Sequence, residues 1–346
     1  MVKKNIITLK IVAKALGLSI STVSRALNNH PDISNQTKEK VSAFANKVNY
    51  VPNVFARGFR AHKSNIIGVI VPNIDHHFTS TLLKGVIREA EINGYKVIIS
   101  ESVNNEQKQT ELLQTMNQFG VDGILLSLAK NTKNVDHILK MMNHIPLVLF
   151  DKVSTKVPCT QVIIDDEDAA FRAVEHLINT GKRRIAIIKE TVNSFISEKR
   201  YLGYLKALKK YDLEIDENLI LSTEDICMEE GKKLANVLIS LKNRPDAIFA
   251  ITDEAGIGVI KTLNKNKIKI PDEIAVVGFC NSVNSTIIKP KLTTIDQPGN
   301  KIGETALKYL LREINNEDEI NHKTVEIKTN LIVRNSSFKS LKKNKV

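Results

Sequence analysis

From residue 64 onward, short apolar runs alternate with longer segments in which apolar residues recur at helical spacing. Apolar runs rich in Val and Ile are typical of strands buried on both faces of a parallel sheet. The runs predict strands at 66–71, 96–100, 123–127, 146–150, 161–164, 184–188, 247–251 and 274–278. The longer segments predict helices at 78–93, 106–119, 168–180, 197–211, 229–241 and 253–266.

This alternation predicts an α/β body. So many strand–helix units favour two doubly wound parallel sheets over one very wide sheet. No low-complexity linker separates the units, so we expect the two lobes to be joined by crossings of the chain and not by a flexible tether.

Residues 1–49 follow a different pattern, that of short helices with tight turns between them. In the first helix, apolar residues at i, i+3, i+4 and i+7 form one buried stripe: Leu9, Val12, Ala13 and Leu16. Thr8 is suited to cap the start of this helix, and Gly17 is suited to the left-handed turn that ends it. Ser19 and Ser34 are suited to cap a second and a third helix.

The second helix is predicted to bury Val23, Ala26 and Leu27 and to leave a polar face open. Two short helices that cross closely around a glycine turn are typical of a helix-turn-helix. The unburied residues lie mostly near the start of the helix, where recognition helices meet base edges: Ile20, Ser21, Thr22, Ser24 and Arg25. Arg25 has the chemistry to bind guanine with two hydrogen bonds. The alternative is an ordinary three-helix bundle whose second helix happens to be polar.

Charge is distributed unevenly along the chain. The formal net charge is +12, and residues 1–63 alone contain eight lysines and three arginines against two acidic residues, a net charge of +9. Residues 339–346 add four lysines, so residues 64–338 carry a charge of −1. A compact basic segment on a near-neutral body predicts that this segment binds a polyanion. The lysines at the end of the chain are typical of a solvated, frayed tail.

Composition argues against several other classes of protein. No apolar run approaches the roughly 18 residues that a membrane helix needs, and Lys10 interrupts the N-terminal apolar positions, which argues against a signal peptide. Cys159, Cys227 and Cys280 are odd in number and widely spaced, so they fit neither a disulfide framework nor a metal site. We therefore expect a cytoplasmic protein with no membrane partner, no cofactor and no metal; the adjacent pair His76 and His77 does not change this, because neighbouring side chains point different ways.

Residues 8–60 resemble the DNA-binding head of the lactose-repressor/galactose-repressor (LacI/GalR) family. The resemblance rests on Leu-Ser-Ile-Ser-Thr-Val-Ser-Arg-Ala-Leu-Asn at 18–28, Asn-Tyr-Val-Pro-Asn at 49–53 and Ala-Arg-Gly-Phe at 56–59. It implies that Ile20 and Ser21 are the main base-reading residues and that Arg25 is a third contact. Ile11 departs from the family, which commonly has an acidic residue there. The predicted DNA-binding residues are Thr8, Ile20, Ser21, Thr22, Ser24, Arg25, Asn28, Asn53 and Phe59.

Residues 53–60 resemble the hinge helix of this family. In the family, one hinge helix from each subunit packs in the minor groove and inserts a leucine between central base pairs; Phe59 stands at that position here. An aromatic wedge is physically suited to unstacking bases, whereas burial of Phe59 against its own body is the alternative. We expect the hinge to order only on DNA, because Gly58 weakens an isolated helix by roughly 1 kcal/mol relative to Ala.

Residues 64–338 resemble the effector domain of the same family, which has the periplasmic sugar-binding-protein fold. The landmarks are Asn-Gly-Tyr at 93–95, Val-Asp-Gly-Ile-Leu-Leu at 121–126, Ile-Pro-Asp-Glu-Ile-Ala-Val-Val-Gly-Phe at 270–279 and Leu-Thr-Thr-Ile-Asp-Gln-Pro at 292–298. The predicted domains are a helix-turn-helix domain at 1–50, a hinge at 51–63, an effector-binding and dimerisation domain at 64–338, and a basic tail at 339–346. The family pattern assigns 64–160 and 291–322 to the N-lobe, and 161–290 and 323–338 to the C-lobe.

Ligands of open α/β sheets bind beyond the carboxyl ends of the strands. The loops there supply the predicted effector-binding residues: His77, Phe78, Asp151, Arg200, Asp253, Phe279, Cys280 and Gln297. An aromatic face and charged groups that bind paired hydroxyls suit a sugar. The resemblance implies direct effector contact at Arg200, the alternative being a surface ion pair. Cys280 departs from the acidic residue of many relatives, which leaves the ligand class open and makes simple packing its alternative role.

Together these features predict a transcription regulator, a repressor that binds palindromic double-stranded operator DNA as a homodimer and responds to a small molecule, a sugar or sugar derivative. The alternatives are an effector-responsive activator and a sugar-binding protein without a DNA function. The sequence argues against a dehydrogenase or kinase, because neither G-x-G-x-x-G nor a Walker loop is present and Gly256-Ile-Gly258 is an isolated fragment. A transport binding protein would need an export signal and would not carry the basic head.

Overall fold

The structure, a computed structural model, describes residues 7–50, 63–130, 132–191, 194–316 and 322–339. The chain divides into two compact units, Met1–Ser64 and Asn65–Val346, which we call the head and the body. Nearly all of the predicted hinge lies outside the described residues, and so do Asn53 and Phe59.

The head contains three helices, α1 (Leu9–Leu16), α2 (Ile20–Leu27) and α3 (Asn35–Lys47). The predicted caps are confirmed: the hydroxyls of Thr8, Ser19 and Ser34 accept hydrogen bonds from the backbone amides of Ile11, Thr22 and Thr37. Gly17 ends α1 with φ of 65°, the left-handed conformation in which glycine is unstrained. Because each cap is a local interaction, the helix limits follow directly from the sequence.

The three helices of the head enclose a small apolar core. Its fully buried members come from all three helices: Val12, Ala13, Val23, Ala26 and Val41. Leu9, Leu16, Phe44 and Val48 are only partly buried and pack around it. The opposite side of α2 is therefore free to carry polar residues.

The first lobe of the body contains a six-stranded parallel sheet with helices on its faces. Its elements are β1 (Ile66–Val71), α4 (His77–Ile92), β2 (Lys96–Glu101), α5 (Glu106–Gln118), β3 (Gly123–Leu126), α6 (Asp136–Met142), β4 (Leu147–Phe150), β5 (Gln161–Ile163), α12 (Gly299–Ile314) and β11 (Thr324–Glu326). The strand order is β11-β5-β4-β3-β1-β2. Helix α12 packs along α4 on one face of this sheet.

The second lobe has a second six-stranded sheet, parallel except at one edge. Its elements are α7 (Asp166–Asn179), β6 (Ile185–Glu190), α8 (Phe195–Lys210), a short 3-10 turn (Glu217–Leu219), β7 (Ile220–Thr223), α9 (Met228–Ser240), β8 (Ala247–Ala250), α10 (Asp253–Lys265), β9 (Ala275–Cys280), α11 (Asn284–Ile287), β10 (Thr293–Asp296) and β12 (Asn330–Ile332). The strand order is β12-β10-β9-β8-β6-β7, and β12 is antiparallel to β10. The prediction of two doubly wound parallel-sheet lobes is confirmed.

The lobe boundaries taken from the family pattern are wrong by one strand at each crossing. Strand β5 pairs with β4 and β11 in the first sheet, whereas the family pattern assigns residues from 161 onward to the C-lobe. Strand β10 pairs with β9 in the second sheet, and β11 belongs to the first. The chain therefore crosses after Ile163, after Asp296 and between Glu326 and Asn330. The chain leaves a lobe only after completing a strand in that lobe, because the lobes face each other at the carboxyl ends of their strands.

Along the described residues, no helix is both long enough and apolar enough to span a membrane.

Candidate functional site

The exposed face of α2 holds the residues predicted to contact DNA. Ile20 is 42% exposed, Ser21, Arg25 and Asn28 are exposed, and Thr22 and Ser24 are half-buried. On a helix the spacing of 20, 24 and 28 and of 21 and 25 places these residues on one side, opposite the buried Val23 and Ala26. An apolar residue and several hydroxyls thus share one surface with a cation.

Hydroxyl groups cluster at the N-terminus of α2. The Oγ atom of Ser19 lies 2.7 Å from Oγ of Ser21 and 2.8 Å from Oγ1 of Thr22. Short hydroxyl side chains at a helix N-terminus are suited to phosphate oxygens and to base edges. Thr8 is also exposed, and it caps α1 through its side chain.

Arg25 is held only weakly in the head. Its Nη1 atom lies 4.0 Å from Oδ2 of Asp32, and both side chains are more than half exposed. An exposed ion pair of this length contributes little to stability. The guanidinium of Arg25 is therefore available for an incoming base or phosphate.

All eight residues predicted to bind an effector border a single cleft of the body, with a volume of about 320 Å³. Asp151 follows β4, Phe279 and Cys280 end β9, and Gln297 follows β10. His77 and Phe78 lie in the first turn of α4, Asp253 begins α10, and Arg200 projects from α8. The structure thus brings the predicted residues together at one cleft, as expected for loops beyond the carboxyl ends of the strands.

Arg200 is buried beside the cleft and is fixed on three sides. Its Nε atom donates to Oδ1 of Asp166 at 2.8 Å, and Nη1 donates to the carbonyl of Ile251 at 2.6 Å. The guanidinium carbon stacks on the ring of Phe279, 3.5 Å from the ring centroid. The ion pair with Asp166 is not a surface pair, since the side chains are only 6% and 4% exposed. Arg200 therefore enters the cleft in one fixed orientation.

Asp253 ties α10 to strand β10 and to the loop that follows β9. Oδ1 accepts a hydrogen bond from Oγ1 of Thr294 at 2.6 Å, and Oδ2 accepts one from the amide of Ser282 at 2.6 Å. Burial raises the pKa of the carboxyl, and these bonds oppose the rise. Since both oxygens already have donors, Asp253 shapes the cleft wall at least as much as it offers a ligand contact.

Asp151 and Cys280 lie at positions of positive φ, 60° and 121°. Burial raises the pKa of Asp151, while Lys152 and then Arg200 lower it, and Oγ of Ser127 donates to its Oδ2 at 3.4 Å. Burial raises the pKa of the Cys280 thiol to about 12, with the Asp253 carboxylate as the next contribution. Cys280 is therefore a neutral group, able to pack or to offer a weak donor, but unable to replace a carboxylate.

Two ion pairs bridge the lobes at the cleft. Lys130, in the loop after β3, lies 3.1 Å from Oε1 of Glu190 at the end of β6, and its ammonium also donates to the carbonyl of Glu224. Nδ1 of His76 lies 3.4 Å from Oε1 of Glu254, and the hydrogen bond between these side chains raises the pKa of the imidazole. Because each pair joins one lobe to the other, both stabilise the arrangement in which the lobes face each other closely.

Several cleft residues were missed by the sequence analysis, although many follow the same rule. They lie in loops after strands or at the first turn of a helix: Asn73, His76, Asn104, Lys130, Lys152, Glu190, Ser197, Asp225 and Glu254. Asp166, behind Arg200, was also missed. Within the described ranges, no cluster of three or more His, Cys, Asp or Glu side chains has a metal-binding arrangement.

Two protein-family models match the chain, one for each unit. Residues 8–53 match the bacterial regulatory proteins of the lacI family. Residues 64–335 match the model described as periplasmic binding proteins and the sugar binding domain of the LacI family.

Curated relatives match along nearly the whole chain. The NTD biosynthesis operon regulator NtdR of Bacillus subtilis is 34% identical over 330 residues, which cover 95% of this chain and 99% of the relative. Catabolite control protein A of Priestia megaterium is 32% identical over 90% of this chain and 93% of its own length.

Solved structures match as well. The complex of the transcriptional regulator CelR with cellobiose has a TM-score of 0.73 and 25% identity, and covers 95% of this chain and 99% of its own. The lac repressor dimer bound to operator and the anti-inducer ONPF has a TM-score of 0.85 over 96% of this chain and 99% of its own; at 23% identity it supports the fold alone.

Proposed function

Because the chain belongs to the LacI family of bacterial regulatory proteins, we propose that it is a cytoplasmic, homodimeric repressor whose release from its operator is controlled by a carbohydrate bound in the cleft. The family makes it a DNA-binding transcriptional regulator with an effector-binding domain. Repression, the dimer, the carbohydrate and the absence of enzymatic activity are the parts that we add.

The observation that supports the DNA-binding part is the polar face of α2. Ile20, Ser21 and Arg25 are exposed on it, while the cap Ser19 and the buried Val23 fix the helix against α1. A helix presented in this way fits the major groove, where its first turns meet base edges. A symmetric pair of heads would read a palindromic site, and a protein that acts on chromosomal DNA of a bacterium works in the cytoplasm.

The cleft supports the effector part. Phe78 and Gln297 line it together with Arg200, so that an apolar face lies near hydrogen-bonding groups. A volume of about 320 Å³ is within the range of small-molecule sites. The relative CelR was solved with a sugar, cellobiose, and the sugar-binding family model spans the same residues. An effector that binds the lobes more tightly in one arrangement shifts the population toward that arrangement.

Selection of operator sites from random duplexes tests the proposal. The full chain is expected to enrich a palindromic sequence, and the affinity is expected to fall steeply with salt. Candidate sugars, including cellobiose, are then added to the selected complex to measure release. Binding without any sequence preference at physiological salt would contradict the proposal, and tighter binding with sugar would make the protein a corepressor-controlled regulator.

Arg25→Ala is expected to relax base preference at one position of each half-site, with a loss of about 1–3 kcal/mol in binding free energy on the selected operator. The reason is that a guanidinium bound to a base edge carries sequence information. Gel shifts on the operator and on its single-base variants measure the effect. Lys40→Ala, which removes the same charge from the exposed surface of α3, is the matched control. If Arg25→Ala weakens binding to all sequences equally, Arg25 contacts only phosphate.

A further inference from the structure

Carboxyl groups outnumber lysine and arginine side chains in the lining of the cleft. Five carboxylates line it against three lysine and arginine side chains among the described residues. Two of those cations already have carboxylate partners, since Arg200 pairs with Asp166 and Lys130 pairs with Glu190. The third, Lys152, acts electrostatically on the neighbouring Asp151. An entering anion would therefore find each cation next to a carboxylate.

Asp166 is the buried carboxylate that pairs with Arg200. It does not line the cleft; it lies behind Arg200 in the first turn of α7 and is 4% exposed. Its Oδ1 atom accepts a hydrogen bond from Nε of Arg200, while the face of the same guanidinium stacks on the ring of Phe279. A carboxylate buried in direct contact with a buried guanidinium cancels its charge, while the guanidinium keeps its remaining N–H groups for neutral acceptors.

We propose that the cleft selects effectors that carry no negative charge, and that Asp166 is the positioning residue that enforces this selection by neutralising Arg200. The inference rests on the proposed effector role of the cleft. Arg200 then serves as a fixed hydrogen-bond donor to hydroxyl oxygens. Phosphorylated or carboxylated sugars are rejected, because they would lose their hydration shell without gaining an unpaired cation.

Asp166→Asn tests the role of the charge alone. Asparagine keeps the volume and an oxygen that can accept from Nε of Arg200, but it leaves the guanidinium charge uncompensated. Sulfate is the probe, because it stays a dianion over the working pH range. We expect the variant of the full chain to bind sulfate about ten-fold more tightly than the wild type or better, since a charge-assisted hydrogen bond becomes available.

Asp168→Asn is the matched control. It makes the same substitution on the same helix, but Asp168 is 53% exposed and pairs with Arg172 at the surface. Calorimetric titration at constant ionic strength compares the two variants with the wild type, and all three share the same basic head. Adding Arg200→Met to Asp166→Asn is expected to abolish the gain, which places the effect at Arg200. A merely structural role for Asp166 would not produce tighter binding of an anion.

The outcomes separate this inference from the proposed function. Unchanged sulfate affinity in Asp166→Asn overturns the inference, whatever sugars do to the operator complex. If that variant does not fold, the wild type decides: sulfate binding that Arg200→Met removes overturns the inference, and its absence supports it. Tighter binding of D-glucose 6-phosphate than of D-glucose also overturns it. A gain of sulfate binding in Asp166→Asn, with no neutral sugar releasing the operator, supports the selection while contradicting the proposed function.

Discussion

Replacing Arg200 with alanine is expected to lower the free energy of unfolding of the body by about 3–5 kcal/mol. The substitution removes the partner of Asp166, which is buried among the helices of the second lobe with its Oδ1 atom bonded to Nε of Arg200. A buried carboxylate without a cation carries a desolvation penalty that nothing offsets. Urea unfolding of the full chain, followed by circular dichroism, measures the loss.

The pH dependence identifies the cause of that loss. Burial raises the pKa of Asp166 from 3.8 to about 6, even though Arg200 lowers it. Because the folded state holds this proton more tightly than the unfolded state, the contribution of Asp166 to stability falls as pH rises from about 4 to 6. Without Arg200 the pKa of Asp166 rises further. The Arg200→Ala variant should therefore recover part of its lost free energy of unfolding on acidification from pH 8 to pH 5. A penalty that is equal at both pH values would contradict this account.

A double substitution provides the control. Asp166→Leu combined with Arg200→Met removes both charges and fills the space with apolar atoms. Replacing a buried ion pair in this way is often neutral or stabilising, so the double variant should be closer to the wild type than Arg200→Ala. If it is as unstable as Arg200→Ala, the loss comes from the lost stacking of the guanidinium on Phe279 and not from the unpaired charge of Asp166.

The sequence predicted those parts of the fold that depend on local chemistry. Thr8, Ser19 and Ser34 cap helices through hydrogen bonds within three residues of themselves, and such signals survive in any tertiary context. The long buried strands were predicted from their apolar runs. Four strands were not predicted: β7 and β10, which are four residues long and contain Ser or Thr, and β11 and β12, which are three residues long and partly exposed. Their existence depends on pairing partners that are distant along the chain.

Residues 165–168, Asp-Asp-Glu-Asp, lie at the start of α7 and illustrate a part of the site that the sequence does not predict. The four residues have four different roles: Asp165 caps the helix, Asp166 binds Arg200, Glu167 pairs with Lys199 and Lys206, and Asp168 pairs with Arg172. Acidic residues are favoured at a helix N-terminus in general, so nothing in the sequence distinguishes the buried one. Which residue turns inward is decided by how α8 packs on α7, a tertiary property.

Gly203→Val is expected to destabilise the body by about 3 kcal/mol, because it forces apart the two helices that form this ion pair. A Cβ atom on residue 203 would lie 2.2 Å from the carbonyl oxygen of Glu167 and 2.9 Å from Cβ of Ala170. The nearest atom belongs to the backbone of α7, so no side-chain rotation relieves the overlap. Thermal and urea unfolding of the full chain measure the effect.

The same substitution should also disturb the cleft, since Gly203 lies one turn after Arg200 on α8 and contacts the residue that follows Asp166 on α7. Separating these helices lengthens the ion pair and tilts the guanidinium away from Phe279. Leu202→Ala is the control, because Leu202 is 38% exposed on the same helix and its truncation should cost only about 0.5 kcal/mol. The head is a separate compact unit, so operator half-site contacts should persist where sugar-dependent release is lost. Normal stability of Gly203→Val would mean that α8 can move off α7 freely, and Arg200 would then lack the fixed position on which charge selection in the cleft depends.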